Sequence, residues 1–156
     1  MHLLQYKQFD KYLLEDKKKN LESFEAVMQW KSKIIFLKPV KKGKALSYSR
    51  KYFTVKDNII ATLPIGYADG LPRRLSNNME VLVKGRRVPQ VGTICMDMIL
   101  IDVSEVPDVQ IGEEVVIFGK QGDEVIQVEE LAQKADTIPY EILCNIGKRV
   151  PRTYQN

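Results

Sequence analysis

The chain has 156 residues, 44% apolar and 28% charged, with a formal net charge of +4; that suits one soluble, globular domain with its own core. No apolar run reaches the roughly 18 residues of a membrane span, and the start, Met1-His-Leu-Leu-Gln-Tyr-Lys-Gln8, lacks the apolar stretch and cleavage site of a secretory signal. Two distant cysteines, Cys95 and Cys144, and a single histidine point to free thiols in a cytoplasmic chain and away from a structural zinc site.

Residues 1–24 stand apart from the rest. Leu3, Tyr6, Phe9, Leu13 and Leu14 recur near helical spacing between lysines and acids. That predicts a helix over residues 5–19 whose apolar stripe packs on the main domain or on a partner. From Lys31 onward the pattern turns to strands. Ile34–Leu37 reads as a strand ended by Pro39, and Ile59–Leu63 as one ended by Pro64. Val81–Val83 meets a hairpin turn at Lys84-Gly85 and returns through Arg86–Val88. Ile99–Val103 alternates around Asp102, and Val115–Phe118 stops at Gly119. The loop Gly119-Lys-Gln-Gly-Asp123 leads to Val125-Ile126. Val128–Lys134 predicts one short helix, and Arg149-Val150 a last strand closing at Pro151. The expectation is an all-β domain over residues 25–156, a small β-barrel or sandwich, with an N-terminal helix and one short late helix.

Positive charge is spread along the chain. Lys17-Lys18-Lys19 sits beside Glu15 and Asp16, and Lys41-Lys42-Gly43-Lys44 reads as a solvated turn. A nucleic-acid-binding barrel uses an aromatic and basic stripe, which this chain lacks. No G-x-S-x-G, phosphate-cradling loop or metal-binding histidine pair occurs.

Three stretches carry possible chemistry. In Ile65–Arg74 an aromatic hydroxyl, a carboxylate and two guanidiniums fall together, as Tyr67, Asp69, Arg73 and Arg74. They make either a small-anion site or a turn followed by surface arginines. Gly92-Thr-Ile-Cys-Met-Asp97 enters an apolar strand. Its backbone N–H groups could hold a carboxylate, or Cys95 and Met96 could fill the core. Tyr48 lies between Ser47 and Ser49, with Arg50 near. A phenol needs a neighbouring cation to act as a base at neutral pH, and Tyr52, Tyr67, Tyr140 and Tyr154 compete with it on equal terms.

Order and spacing add what no single stretch gives. Ser32-Lys-Ile34, Ser47-Tyr48, Thr62-Leu-Pro-Ile-Gly-Tyr-Ala-Asp-Gly70, Arg73-Arg74, Val91-Gly92 and Ile94-Cys-Met-Asp97 follow one another. Ile111-Gly112, Ile138-Pro-Tyr-Glu141 and Arg149-Val-Pro-Arg152 continue the series. From about Phe24 to Tyr154 the chain resembles the C-terminal domain of pyridoxal-phosphate-dependent alanine racemases. The resemblance implies an enzyme that interconverts L- and D-alanine, a cell-wall precursor. An N-terminal α/β barrel would hold pyridoxal phosphate on a lysine, and the cofactor would act as an electron sink. Two bases would serve opposite faces of the α-carbon: that lysine, and a tyrosine lent by the other subunit of a dimer.

By the same resemblance Tyr48 is that tyrosine. Tyr67 and Arg73 line the substrate entrance, Met96 turns its backbone amide to the substrate carboxylate, and Asp97 is its acidic neighbour. Two positions depart from the family pattern. Lys148 stands where many members place a tyrosine touching the cofactor phosphate, and it could meet a phosphate as a point charge. Thr93 stands where some members carry a basic residue. About 23 residues precede the matching region, whereas an α/β barrel takes about 200. The expectation is therefore a chain inactive alone, with no cofactor bound to it. Its partner would be a barrel domain, an intact racemase or a second copy. The alternative is a non-catalytic β-barrel serving assembly or binding.

Overall fold

Strand-forming residues dominate the computed structural model, which describes residues 26–154. The helix expected over residues 5–19 lies outside them. The strands are β1 (Trp30–Lys33), β2 (Phe36–Val40), β3 (Ala45–Leu46), β4 (Tyr52–Phe53), β5 (Asn58–Leu63), β6 (Glu80–Val83), β7 (Arg86–Val91), β8 (Ile99–Asp102), β9 (Glu114–Gln121) and β10 (Glu124–Ile126). Two helices follow, α1 (Val128–Ala135) and α2 (Pro139–Asn145). Single 3-10 turns occur at Tyr48–Arg50, Tyr67–Asp69 and Arg73–Leu75.

The main sheet is antiparallel, in the order β1-β9-β6-β7-β8-β5-β2, with β10 paired to the end of β9. A separate ribbon, β3-β4, carries the chain past Tyr48. β7 is where the sheet bends. Its first part, Arg86–Pro89, pairs with β6, and its last two residues, Gln90 and Val91, pair with β8. Pro89 lies at that switch, where a missing N–H is tolerated.

The two edge strands, β1 and β2, are separated in sequence only by Ile34 and Ile35. Such a short link spans about 10 Å at most, so the far edges of the sheet must curl towards each other. The step is visible in the backbone. Ile34 N–H donates to Glu113 O on the β9 side at 3.0 Å, and Ile35 N–H to Thr62 O of β5 at 3.0 Å. The result is a barrel-like all-β fold with no hydrogen-bonded ladder between β1 and β2 among the described residues.

Inward-facing Ile34, Leu63, Leu82, Ile101 and Ile117 are fully buried, each stabilising the fold by about 1.5–3 kcal/mol. The Trp30 and Phe118 rings meet edge to face at 6.1 Å. α1 begins with Glu129 and Glu130, ends with Lys134 and a left-handed Asp136, and turns Leu131, Ala132 and Ala135 inward. Glu129, Glu130 and Lys134 match the helix dipole, whereas the Asp136 carboxylate at the C-terminal cap opposes it.

Five expectations need correction. The strand read over Ile34–Leu37 begins only at Phe36, because Ile34 and Ile35 cross from the β9 side to β5. β2 runs through Pro39 to Val40 because it is an edge strand, where proline fits. β9 runs through Gly119 to Gln121. There φ is +123°, and a Cβ would lie 2.7 Å from the Gln29 side chain, so the glycine lets the 29–30 segment cross close by instead of ending the strand. Two late helices exist, not one, and α2 starts on Pro139 at its first position, where its missing N–H is harmless. Arg149-Val150 forms no strand; Val150 N–H closes a turn onto Gly147 O at 3.2 Å. Among the described residues no helix is long and apolar enough to cross a membrane.

Candidate functional site

Two glycines let three separate segments meet at one end of the sheet. A Cβ on Gly66 would lie 2.2 Å from Cys95 O and 2.3 Å from Met96 O, distances no side chain tolerates. Without it, the backbone docks directly. Tyr67 N–H donates to Cys95 O and Ala68 N–H to Met96 O, both at 3.0 Å. Gly92, at φ +80°, similarly approaches Ser47, whose Cβ is 2.6 Å from where a Gly92 Cβ would stand. The segments 47–50, 66–73 and 92–97 are thus fixed around one cleft.

Tyr48, Tyr67, Arg73, Met96 and Asp97 all line this cleft, whose volume is about 370 Å³. Sequence reasoning named all five, and the fold brings them together. Tyr48 is 70% exposed, so its phenol faces open solvent in this chain. The tight turn Cys95–Met98 is closed by Cys95 N–H to Met98 O at 3.0 Å. Among the described residues no acceptor engages the Met96 N–H. Lys148 does not line the cleft; it lies exposed in the turn after α2.

The neighbour of Lys148 reaches the site instead. Arg149 Nη2 donates to Asp97 Oδ1 at 2.8 Å, and its Nε lies 3.5 Å from Asp69 Oδ1. The hydrogen bond to Asp97, then the charges of Asp69 and Asp97, raise the Arg149 pKa above its usual value. Asp69 is buried, and its Oδ2 accepts the Gly66 N–H at 2.8 Å. Asp69 O also accepts Gly147 N–H at 2.9 Å. A brace therefore runs from Gly66 through Asp69 and Arg149 to Asp97. Sequence reasoning placed Asp69 in a possible anion site and gave Arg149 no role there. The small-anion cluster divides in the fold: Tyr67 and Arg73 face the cleft, Asp69 turns inward, and Arg74 pairs with Asp136 at 3.1 Å. Thr93, noted only as a departure, is buried beside Tyr48.

The family profile described as "Alanine racemase, C-terminal domain" matches residues 27–154. The chain belongs to this family. Alanine racemase from Halothermothrix orenii is 54% identical over 130 residues, covering 83% of this chain and 34% of the relative. Alanine racemase 2 from Caldanaerobacter subterraneus is 53% identical over 127 residues, covering 81% and 33%. The chain thus spans about a third of the length of these relatives. The crystal structure of the Bacillus anthracis alanine racemase with bound L-Ala-P superposes with a TM-score of 0.83 at 40% identity, over 92% of this chain and 36% of that one. The Bartonella henselae enzyme, solved with covalently bound pyridoxal phosphate, gives a TM-score of 0.78 at 33% identity, over 84% and 36%.

The cleft does not by itself make a pyridoxal phosphate site. Covalent attachment of an aldehyde cofactor needs an amine, and no lysine among the described residues lines the cleft. What the cleft offers is a phenol, a guanidinium and a turn with a free amide, groups able to exchange a proton and to hold a carboxylate. Nor do the described residues gather three or more metal-ligating side chains.

Proposed function

We propose that this domain is the C-terminal part of a cytoplasmic alanine racemase and supplies one of its two proton-transferring groups, the Tyr48 hydroxyl. The observation that carries the reading is the convergence of Tyr48, Tyr67, Arg73, Met96 and Asp97 on one cleft from three separate segments. In this reading the Met96 N–H donates to the alanine carboxylate, an interaction that needs no particular side chain. Arg73 and Tyr67 guide the zwitterion in, and the Tyr48 oxygen takes or returns the proton on one face of the α-carbon. Pyridoxal phosphate, held by the barrel of a racemase, supplies the electron sink. Its lysine then serves the opposite face, across a dimer. Tyr48 is open to solvent, which fits a site completed by a second surface that excludes water.

The test is to put residues 27–154 in place of the matching domain of the Halothermothrix orenii racemase and follow conversion of L- to D-alanine. Activity is expected with the native segment and a loss of at least about a hundredfold with Tyr48→Phe. A soluble, dimeric chimaera with no activity would instead favour a domain retained for assembly.

A further inference from the structure

The backbone around Tyr48 is held in a conformation that side-chain-bearing residues rarely adopt. Ser47 has φ 59° and ψ −173°, Ser49 has φ 60° and ψ 13°, and Arg50 has φ 49°. The Ser47 combination is essentially glycine territory. Such a turn persists only where its surroundings determine it, and here two residues do so reciprocally. Ser47 Oγ donates to Thr93 O at 2.7 Å. Thr93 Oγ1 donates back to Tyr48 O at 3.1 Å. Thr93 is 3% exposed, so both of its polar groups on this side are spent on holding the 47–48 segment. Behind it the buried Gln90 side chain donates to Gly92 O at 2.9 Å, and Ser76 Oγ accepts the Ile94 N–H at 2.9 Å. The Thr93 backbone is therefore fixed on both sides.

We infer that Ser47 and Thr93 are positioning residues, a reciprocal clamp that holds the strained turn and so fixes the Tyr48 backbone from which the phenol projects at the cleft. The importance of this for catalysis rests on the reading of Tyr48 as a proton-transferring group. A threonine suits the place because a small hydroxyl reaches the Tyr48 carbonyl from a buried site. A long basic side chain there would have to leave toward solvent and give up that bond.

The experiment has two readouts. In the full chain carrying 3-fluorotyrosine, the Tyr48 fluorine resonance is assigned by its loss in Tyr48→Phe. Thr93→Val, which keeps the shape and deletes the hydroxyl, is expected to shift or broaden that resonance. In the chimaeric racemase the same change should lower kcat about tenfold or more, with KM staying within about twofold. Thr93→Ser should restore both. Ser47→Gly relaxes the backbone while deleting the Oγ bond. It should keep or raise the melting temperature and still disturb the Tyr48 resonance and lower kcat, a pattern that a purely structural role does not give. If Thr93→Val fails to fold, Ser47→Gly decides on the same readouts. An unchanged resonance, or a changed one with kcat intact, overturns the clamp as a catalytic device. If Tyr48→Phe retains full activity, the reading of Tyr48 has failed, and the resonance alone decides whether the clamp holds the ring.

Discussion

Gly66 shows how one missing methyl group decides the site. Its φ of −158° is ordinary extended backbone, so alanine is excluded by space and not by conformation. The clash partners are the backbone oxygens of Cys95 and Met96, which cannot swing away as a flexible side chain would. Gly66→Ala must therefore push the 66–68 and 95–96 segments apart. Urea unfolding should show a loss of about 2–3 kcal/mol, and proton exchange at the Tyr67 and Ala68 amides should accelerate. Unchanged exchange would mean that the two segments are not held by this contact. The glycine was legible in the sequence as part of a motif, but its partner was not. Nothing in residues 62–70 announces a carbonyl about 30 positions later. The Asp69–Arg149–Asp97 brace was hidden for the same reason, since its members lie on three loops that only the fold brings together.

At the scale of elements, Arg87 ties β7 to two strands and a helix. Its guanidinium reaches Glu130 of α1 at 3.0 Å, Glu80 of β6 at 3.4 Å and Glu124 of β10 at 3.3 Å, and donates to Val125 O at 2.6 Å. Burial by itself pushes the Glu130 carboxyl up, but hydrogen bonds from Lys134 and Arg87, and their charges, hold its pKa below the usual value of 4.5. A carboxyl depressed in the folded state contributes stability that is full above its unfolded pKa and is lost as pH falls through the folded one. Arg87→Met keeps the apolar stem and leaves three glutamates without their shared cation. It should cost about 1–2 kcal/mol at pH 7, and the gap to the native protein should narrow below pH 4.5, as the Glu130 carboxylate takes up its proton. Urea titrations at pH 7 and pH 3 check this; a gap that widens in acid would refute it. Elements set by local chemistry were readable beforehand. The β6–β7 hairpin is one, because Lys84 and Gly85 supply two positive φ values, 51° and 70°. The run of β9 past Gly119 and of β2 past Pro39 was not readable. Whether a glycine or proline ends a strand depends on which neighbour it faces, and that is decided by the sheet order.

The described residues form a curled sheet with the proposed site residues on an open rim. The same curl that brings β1 and β2 together leaves Tyr48, Met96 and Met98 at 70%, 51% and 48% exposure. The proton transfer proposed for Tyr48 would need a site from which water is excluded, and this rim cannot exclude it alone. Among the described residues it also offers no amine: Lys148, the one lysine that family resemblance places near the cofactor, lies exposed and outside the cleft lining. An exposed lysine ammonium is strongly hydrated and holds no aldehyde in preference to its neighbours. The isolated chain should therefore show no racemisation of alanine with pyridoxal phosphate added. Borohydride reduction followed by peptide mass mapping should then find the cofactor scattered thinly over surface lysines. Labelling concentrated on Lys148, competed by inorganic phosphate, would show that this turn binds the cofactor unaided. Scattered labelling that stays unchanged when a racemase barrel completes the site would place cofactor contact on the barrel, leaving this domain the substrate-facing wall.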